Sequence, residues 1–103
     1  MYSEIDKHRI ELNHLCQLYG VRRLELFGSV LTDSFNDSSD IDLVVEFEPH
    51  LGGSGLHRYF DLKAALESLF KRPVDLVELA AMENTRLKRL IERSKVPVYA
   101  ASA

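Results

Sequence analysis

The chain predicts an α/β fold: a small β-sheet of three to four strands with helices packed against it. Two observations carry this. Apolar runs of strand length at residues 21–27, 41–47 and 74–79 alternate with longer stretches of helical spacing, the order that gives a sheet layered with helices. At 103 residues there is room for one core, so residues 1–103 are expected to form a single domain.

The first helix is expected between Ser3, with Asp6 three residues on as a weak capping box, and Gly20 as terminator. Ile5, Leu12, Leu15, Cys16 and Tyr19 share one of its faces, and Cys16 reads as a small core residue. His8 and His14 fall on different parts of that helix and read as solvated. Residues 21–27 form the first strand, with Leu24 and Leu26 on one side and Arg23, Glu25 and Phe27 on the other. Residues 30–39 are a polar, turn-rich loop. Residues 41–47 form the second strand, closed by Pro49. A glycine-rich connection, residues 50–55, leads into the clearest helix, residues 56–70. Residues 74–79 form the third strand. A last helix over 83–94 should turn Leu87, Leu90 and Ile91 inward and leaves Arg86, Lys88, Arg89, Arg93 and Lys95 as a basic cluster. Residues 96–99 read as an edge strand or extended tail, since Pro97 cannot sit in a central strand.

The stretch from Gly28 to Asp42 joins two strand ends and carries the chemistry. Asp40 and Asp42 are two apart, so they project from one face while Ile41, Leu43, Val45 and Phe47 turn to the core. Neighbouring carboxylates repel, and a divalent cation between them removes that penalty. Mg²⁺ suits such a site because it takes hard oxygen ligands and bridges carboxylates to phosphates. Gly28 after a strand allows a sharp turn or a close approach. Ser29 can open a short helix over Val30 and Leu31, whose free N–H groups favour a phosphate. An anion cradle and a metal clamp at adjacent strand ends fit phosphoryl or nucleotidyl transfer.

Gly28-Ser29, ten residues and Asp40-Ile41-Asp42 resemble the signature of the DNA polymerase β-like nucleotidyltransferase superfamily. The resemblance continues through residues 43–49, 72–77 and 96–99, and with the short length points to the minimal nucleotidyltransferase (MNT) group. It implies a mixed strand sense and a nucleoside triphosphate, ATP, as substrate. It implies that Asp40, Asp42 and Asp75 are catalytic and hold two Mg²⁺ ions, Asp75 facing the acceptor. Gly28 and Ser29 would bind the nucleotide's distal phosphates. Members of the group are often paired with a helical HEPN-type ribonuclease toxin, and some transfer AMP to one of its tyrosines. The resemblance thus implies an antitoxin acting on such a partner, docked through the basic last helix or apolar surface near the site. Relatives commonly carry Arg or Lys between the serine and the aspartates. This chain has none at residues 30–39, and has Asp33 and Asp37 instead. Arg58 and Lys63 are the candidates to replace the missing cation, against the plainer reading of a solvated helix face.

Composition narrows the classes. A formal net charge of −3 and a pI near 5.8 lack the basic footprint of a nucleic-acid binder, so no direct nucleic-acid contact is expected. One cysteine excludes an internal disulfide and suits a reducing, cytoplasmic setting. No apolar run approaches the ~20 residues of a membrane span, and the polar start is no signal peptide. Two further classes stay open: a non-catalytic antitoxin that silences its partner by covering it, and an antibiotic-modifying nucleotidyltransferase, which would lack an acceptor domain.

Overall fold

The helix-strand alternation builds four strands and four helices in a computed structural model that describes residues 3–28, 39–49 and 55–101, without the side chains of residues 3, 4, 55 and 56. In chain order these are α1 (Ser3–Lys7), α2 (Arg9–Leu18), β1 (Val21–Phe27), β2 (Ile41–Phe47), α3 (Gly55–Phe70), β3 (Val74–Val77), a 3₁₀ turn (Leu79–Ala81), α4 (Arg86–Ser94) and β4 (Val96–Ala100). The sheet order is β3-β2-β1-β4. β1 is antiparallel to both β2 and β4, whereas β2 and β3 are parallel, so the sheet is mixed as expected.

One face of this sheet makes the core. Leu24 and Leu26 of β1 stand opposite Val45 and Leu43 of β2, and Ile41 and Leu43 stand beside Val74 and Leu76 of β3. All are buried, and they pack with Ile5, Leu12 and Cys16 of the first two helices and Leu62, Leu66 and Phe70 of α3. Removing such side chains from water is the main favourable term in folding. Burial pushes the Cys16 thiol up to about 12, which leaves it a core residue without thiolate chemistry.

The sequence reading needs five corrections. The first helix breaks at His8, whose backbone leaves the helical region (φ −114°, ψ 23°), and the His8 ring makes an edge contact with Phe70 at 5.8 Å. β1 is bulged between Val21 and Arg23, which keeps Val21 and Leu24 both buried although they are three apart. β3 stops at Val77, and Leu79 belongs to the 3₁₀ turn that follows. The last helix starts at Arg86, because the Thr85 hydroxyl caps it by accepting the Lys88 N–H at 3.2 Å. Within that helix Leu87 and Leu90 are exposed and Ile91 alone is buried. Residues 96–99 resolve to the edge-strand alternative, as β4, with the Arg9 guanidinium donating to the Val98 carbonyl at 2.6 Å.

Candidate active site

Alternation along the strands gives the sheet a second face, and the candidate residues lie there. β1 ends where β2 and β3 begin, so Phe27, Asp42 and Asp75 form one row across three strands. Asp42 and Asp75 are direct register partners on adjacent strands, which run ~4.8 Å apart in a sheet. Asp75 is exposed and Asp42 half-buried; Asp40, one residue ahead of β2, is exposed. Side-chain alternation turns both strand aspartates away from the buried Ile41, Leu43, Val74 and Leu76.

Gly28 closes the row on the β1 side. Its φ of +76° lies in the left-handed region, and a Cβ placed there would fall 2.2 Å from the Asp42 Oδ2. Glycine is therefore required twice, for the turn and for the space that the Asp42 carboxylate occupies. Ser29, the expected helix over Val30 and Leu31, the acidic residues Asp33 and Asp37, and the glycine-rich segment 50–54 lie outside the described residues.

Bonds that the sequence reading did not anticipate fix this row. The Ile41 N–H donates to the Pro73 carbonyl at 3.1 Å, and Arg72 Nη1 donates to the Ser39 carbonyl at 3.0 Å. Together they tie the approach to Asp40 and Asp42 to the approach to Asp75. The Val74 N–H donates to Glu67 Oε2 at 3.0 Å, and Lys63 lies 3.5 Å from the same oxygen. That backbone bond holds the Glu67 carboxyl below its ordinary range; burial opposes it, and Lys63 adds to the lowering. The Tyr59 hydroxyl donates to the Leu76 carbonyl. Burial raises the Tyr59 pKa first; Asp75 and Glu78 add to this, and Lys63 opposes it. An Arg-Pro ahead of a strand and a Glu at the end of a helix were visible in the sequence, but their partners depend on pairings no periodicity encodes.

The two cations proposed to replace the loop's missing base are used elsewhere. Arg58 stacks over Phe47 at 4.5 Å and donates from Nη1 to the Glu48 carbonyl at 3.0 Å, while Lys63 pairs with Glu67. Nor is the basic cluster of the last helix wholly solvated: Lys95 Nζ reaches Glu25 Oε1 at 2.6 Å. That pair is sunk into the second face, the side chains 19% and 9% exposed, one row below Phe27 and Asp42. Beside it, where β3 gives way to the 3₁₀ turn, a cleft of about 280 Å³ is lined by Glu25, Val44, Glu46, Glu78, Leu79 and Lys95, among others.

The donor set at the strand heads, three carboxylates, is hard oxygen throughout and suits Mg²⁺. As the side chains stand, no group of three His, Cys, Asp or Glu is gathered into a metal cage among the described residues. The structure brings Asp42, Asp75 and Gly28 together and leaves Asp40 at the margin.

A mixed four-stranded sheet carrying aspartates at adjacent strand heads beside a glycine turn defines a nucleotidyltransferase architecture. The model of the nucleotidyltransferase domain matches residues 9–98, and the chain belongs to that family. Among curated relatives, the Methanocaldococcus jannaschii protein MJ1379, provisionally named a protein adenylyltransferase, is 32% identical over 78% of this chain and 79% of its own length. The protein adenylyltransferase MntA of Thermococcus cleftensis is 29% identical over 86% of this chain and 84% of its own. The solved structure of a provisionally assigned minimal nucleotidyltransferase superposes with a TM-score of 0.74 at 33% identity, covering 90% of this chain and 91% of that one. A structure of a tri-AMPylated Shewanella oneidensis HEPN toxin in complex with an MNT antitoxin shares the fold, with a TM-score of 0.64 at 21% identity over 93% and 72% of the two chains.

Proposed function

We propose that this chain is an antitoxin of the HEPN/MNT kind, which transfers AMP from ATP to a tyrosine hydroxyl of a HEPN-type ribonuclease toxin in the cytoplasm. The observation that carries this reading is the register pairing of Asp42 with Asp75, with Gly28 set against the Asp42 carboxylate. The names of its relatives, protein adenylyltransferases, support the reaction class. In this reading Asp40, Asp42 and Asp75 hold two Mg²⁺ ions, which would neutralise phosphate charge when bound. Gly28 leaves room for the Asp42 carboxylate, and the backbone at Gly28 with Ser29 holds the triphosphate's distal phosphates. The acceptor oxygen forms a bond to the α-phosphorus while the bond to the β-phosphate oxygen breaks and pyrophosphate departs. The acceptor's proton passes to the exposed carboxylate of Asp75. Added AMP brings charge and bulk to the toxin beside its RNA-cleaving site. Docking falls to α4, whose exposed Leu87 and Leu90 lie among Arg86, Arg89 and Arg93.

A second reading, silencing by occlusion without transfer, is favoured by the absence of Lys and Arg at residues 30–39. One experiment separates the two. The chain is incubated with its HEPN-type partner, ATP and Mg²⁺, and the partner's intact mass is measured. Transfer predicts one or more added AMP units with the wild type and none with Asp42→Asn. An unmodified partner, inhibited equally by both chains, rejects transfer in favour of occlusion.

A further inference from the structure

We propose that the chain pairs with a second copy of itself through α2, the ridge Ile10-His14-Leu18 of each copy seated in the groove beside the same ridge of the other. Among the described residues Leu18 and Ile10 are the most exposed large apolar side chains, at 73% and 71%. His14 lies midway between them, and residues four apart in a helix are neighbours on one face. Leu12 and Cys16 turn the opposite face of α2 to the core. The two apolar side chains therefore mark a ridge that points into solvent.

A groove runs beside that ridge. The His8 ring meets Phe70, while Leu15 and Ala65 line one hollow further along, so α2 and α3 lie antiparallel. The hollow, of about 420 Å³, has the half-buried Leu15, Ala65 and Leu69 for its floor and the exposed Glu11, His14 and Ser68 at its rim. Rows of residues four apart are the ridges that most often pack into grooves between helices. A ridge and a groove side by side on one surface complement themselves under a two-fold axis, as an isologous interface requires. An axis beside His14 sets Ile10 of one copy against Leu18 of the other, twice. It also opposes the two helix dipoles. Glu11, three residues from His14, then faces the second copy's His14, a carboxylate beside a ring N–H.

The sheet edges, the other common route to pairing, are already used. At β3 the Val74 N–H donates to Glu67 and the Leu76 carbonyl accepts from Tyr59. At β4 Pro97 has no N–H, and the Val98 carbonyl accepts from Arg9 at 2.6 Å. Side chains of the chain's own helices thus hold the groups that an added strand would need. The helices cover the sheet face opposite Asp42 and Asp75. Pairing through α2 therefore leaves both aspartate rows open, and the dimer has two heads able to engage two partner chains at once. The pairing stands on helix geometry and does not depend on the transfer reading.

The test is sedimentation velocity of the full chain over a concentration series. A contact between short helices is at the small end of stable interfaces, so the series extends to ~10⁻⁴ M. The mass should climb from 11.8 kDa toward twice that value. Leu18→Glu and Ile10→Lys, both at exposed positions, should each stay monomeric with an unchanged thermal melt. Mixed in equal amounts, the two variants should pair again. The antiparallel register sets the introduced acid against the introduced base at one end and leaves Ile10 against Leu18 at the other. A chain monomeric throughout, a dimer that Leu18→Glu leaves intact or that only Leu87→Glu dissolves, or single variants that fail to pair on mixing would each overturn the proposal. So would a monomeric chain whose binding to a HEPN-type partner is lost in Leu18→Glu, which would give this face to that partner.

Discussion

The two faces of this sheet are made by the same strands and do opposite work. On β2, Ile41, Leu43 and Val45 are buried against the helices, while Asp42, Val44 and Glu46 alternate onto the other face, half-buried, buried and exposed in turn. On β3, Val74 and Leu76 are buried and Asp75 between them is exposed. A period of two separates stability from chemistry residue by residue, so neighbours in sequence should fail in different ways when changed.

The sharpest form of that contrast is a pair of adjacent substitutions. Asp42→Asn should lower nucleotide transfer at least ~10²-fold, the usual loss when one transition-state electrostatic group is removed. Its stability should change by less than ~1 kcal/mol, since no core contact is lost. Leu43→Ala, one residue on, should cost about 2–5 kcal/mol by emptying a fully buried site. Urea unfolding and a transfer assay on the two variants check both halves. A large stability loss in Asp42→Asn would mean that the faces are not independent.

Gly28 tests how close the chemistry comes to the backbone. Gly28→Ala places a methyl where Asp42 Oδ2 stands and asks an L-residue to hold φ +76°. It should displace the carboxylate and lower transfer by about tenfold or more, at a stability cost of about 1–2 kcal/mol from the strained backbone. Mg²⁺-dependent nucleotide binding, followed by calorimetry, should weaken with it. Unchanged binding would mean that the Asp42 carboxylate can relocate without loss.

Glu25 and Lys95 are where the comparison bends, because a charged pair is buried on the face otherwise given to chemistry. Lys95→Met should destabilise by about 1–3 kcal/mol, less than for a fully sealed pair because Lys95 keeps 19% exposure. Glu25→Leu combined with Lys95→Met should recover most of that loss, since an apolar pair of similar size removes both desolvation costs. Denaturant midpoints for the single and double variants measure it. A double variant as unstable as the single would make the pair an anchor of β4.

How much of this could be read in advance follows from range. The strands at 21–27 and 41–47 and the helix at 56–70 announce themselves by local periodicity. The candidate aspartates are singled out by their spacing and by the resemblance they carry. The failures are tertiary. Helix α4 looked amphipathic, yet Leu87 and Leu90 stay exposed because only Ile91 meets the sheet side. Strand β3 is ended early by the 3₁₀ turn that builds the cleft wall. Arg72 to Ser39 and Lys95 to Glu25 join residues 33 and 70 positions apart, a distance no local pattern spans. The bulge in β1 likewise depends on which strand lies beside it.

The smallest effect should come from Glu67, which acts on the chemistry face from the core side. Its carboxylate accepts the Val74 N–H at 3.0 Å at the very start of β3, next to Asp75. That bond, with burial opposing and Lys63 assisting, holds the folded-state pKa below the ordinary value of 4.5. A depressed carboxylate pKa means that the unfolded chain binds the proton more readily, so stability falls as pH falls. The Glu67 contribution should be fully present above pH 4.5 and be lost as the pH drops through the lower folded-state value. Glu67→Gln keeps the shape and removes the charge, so it should unfold more easily than wild type at pH 7. The two chains should converge under acid. Thermal melts of both across pH 3 to 7 measure the difference, and a gap that stays constant over that range would show that Glu67 charge plays no part in seating β3.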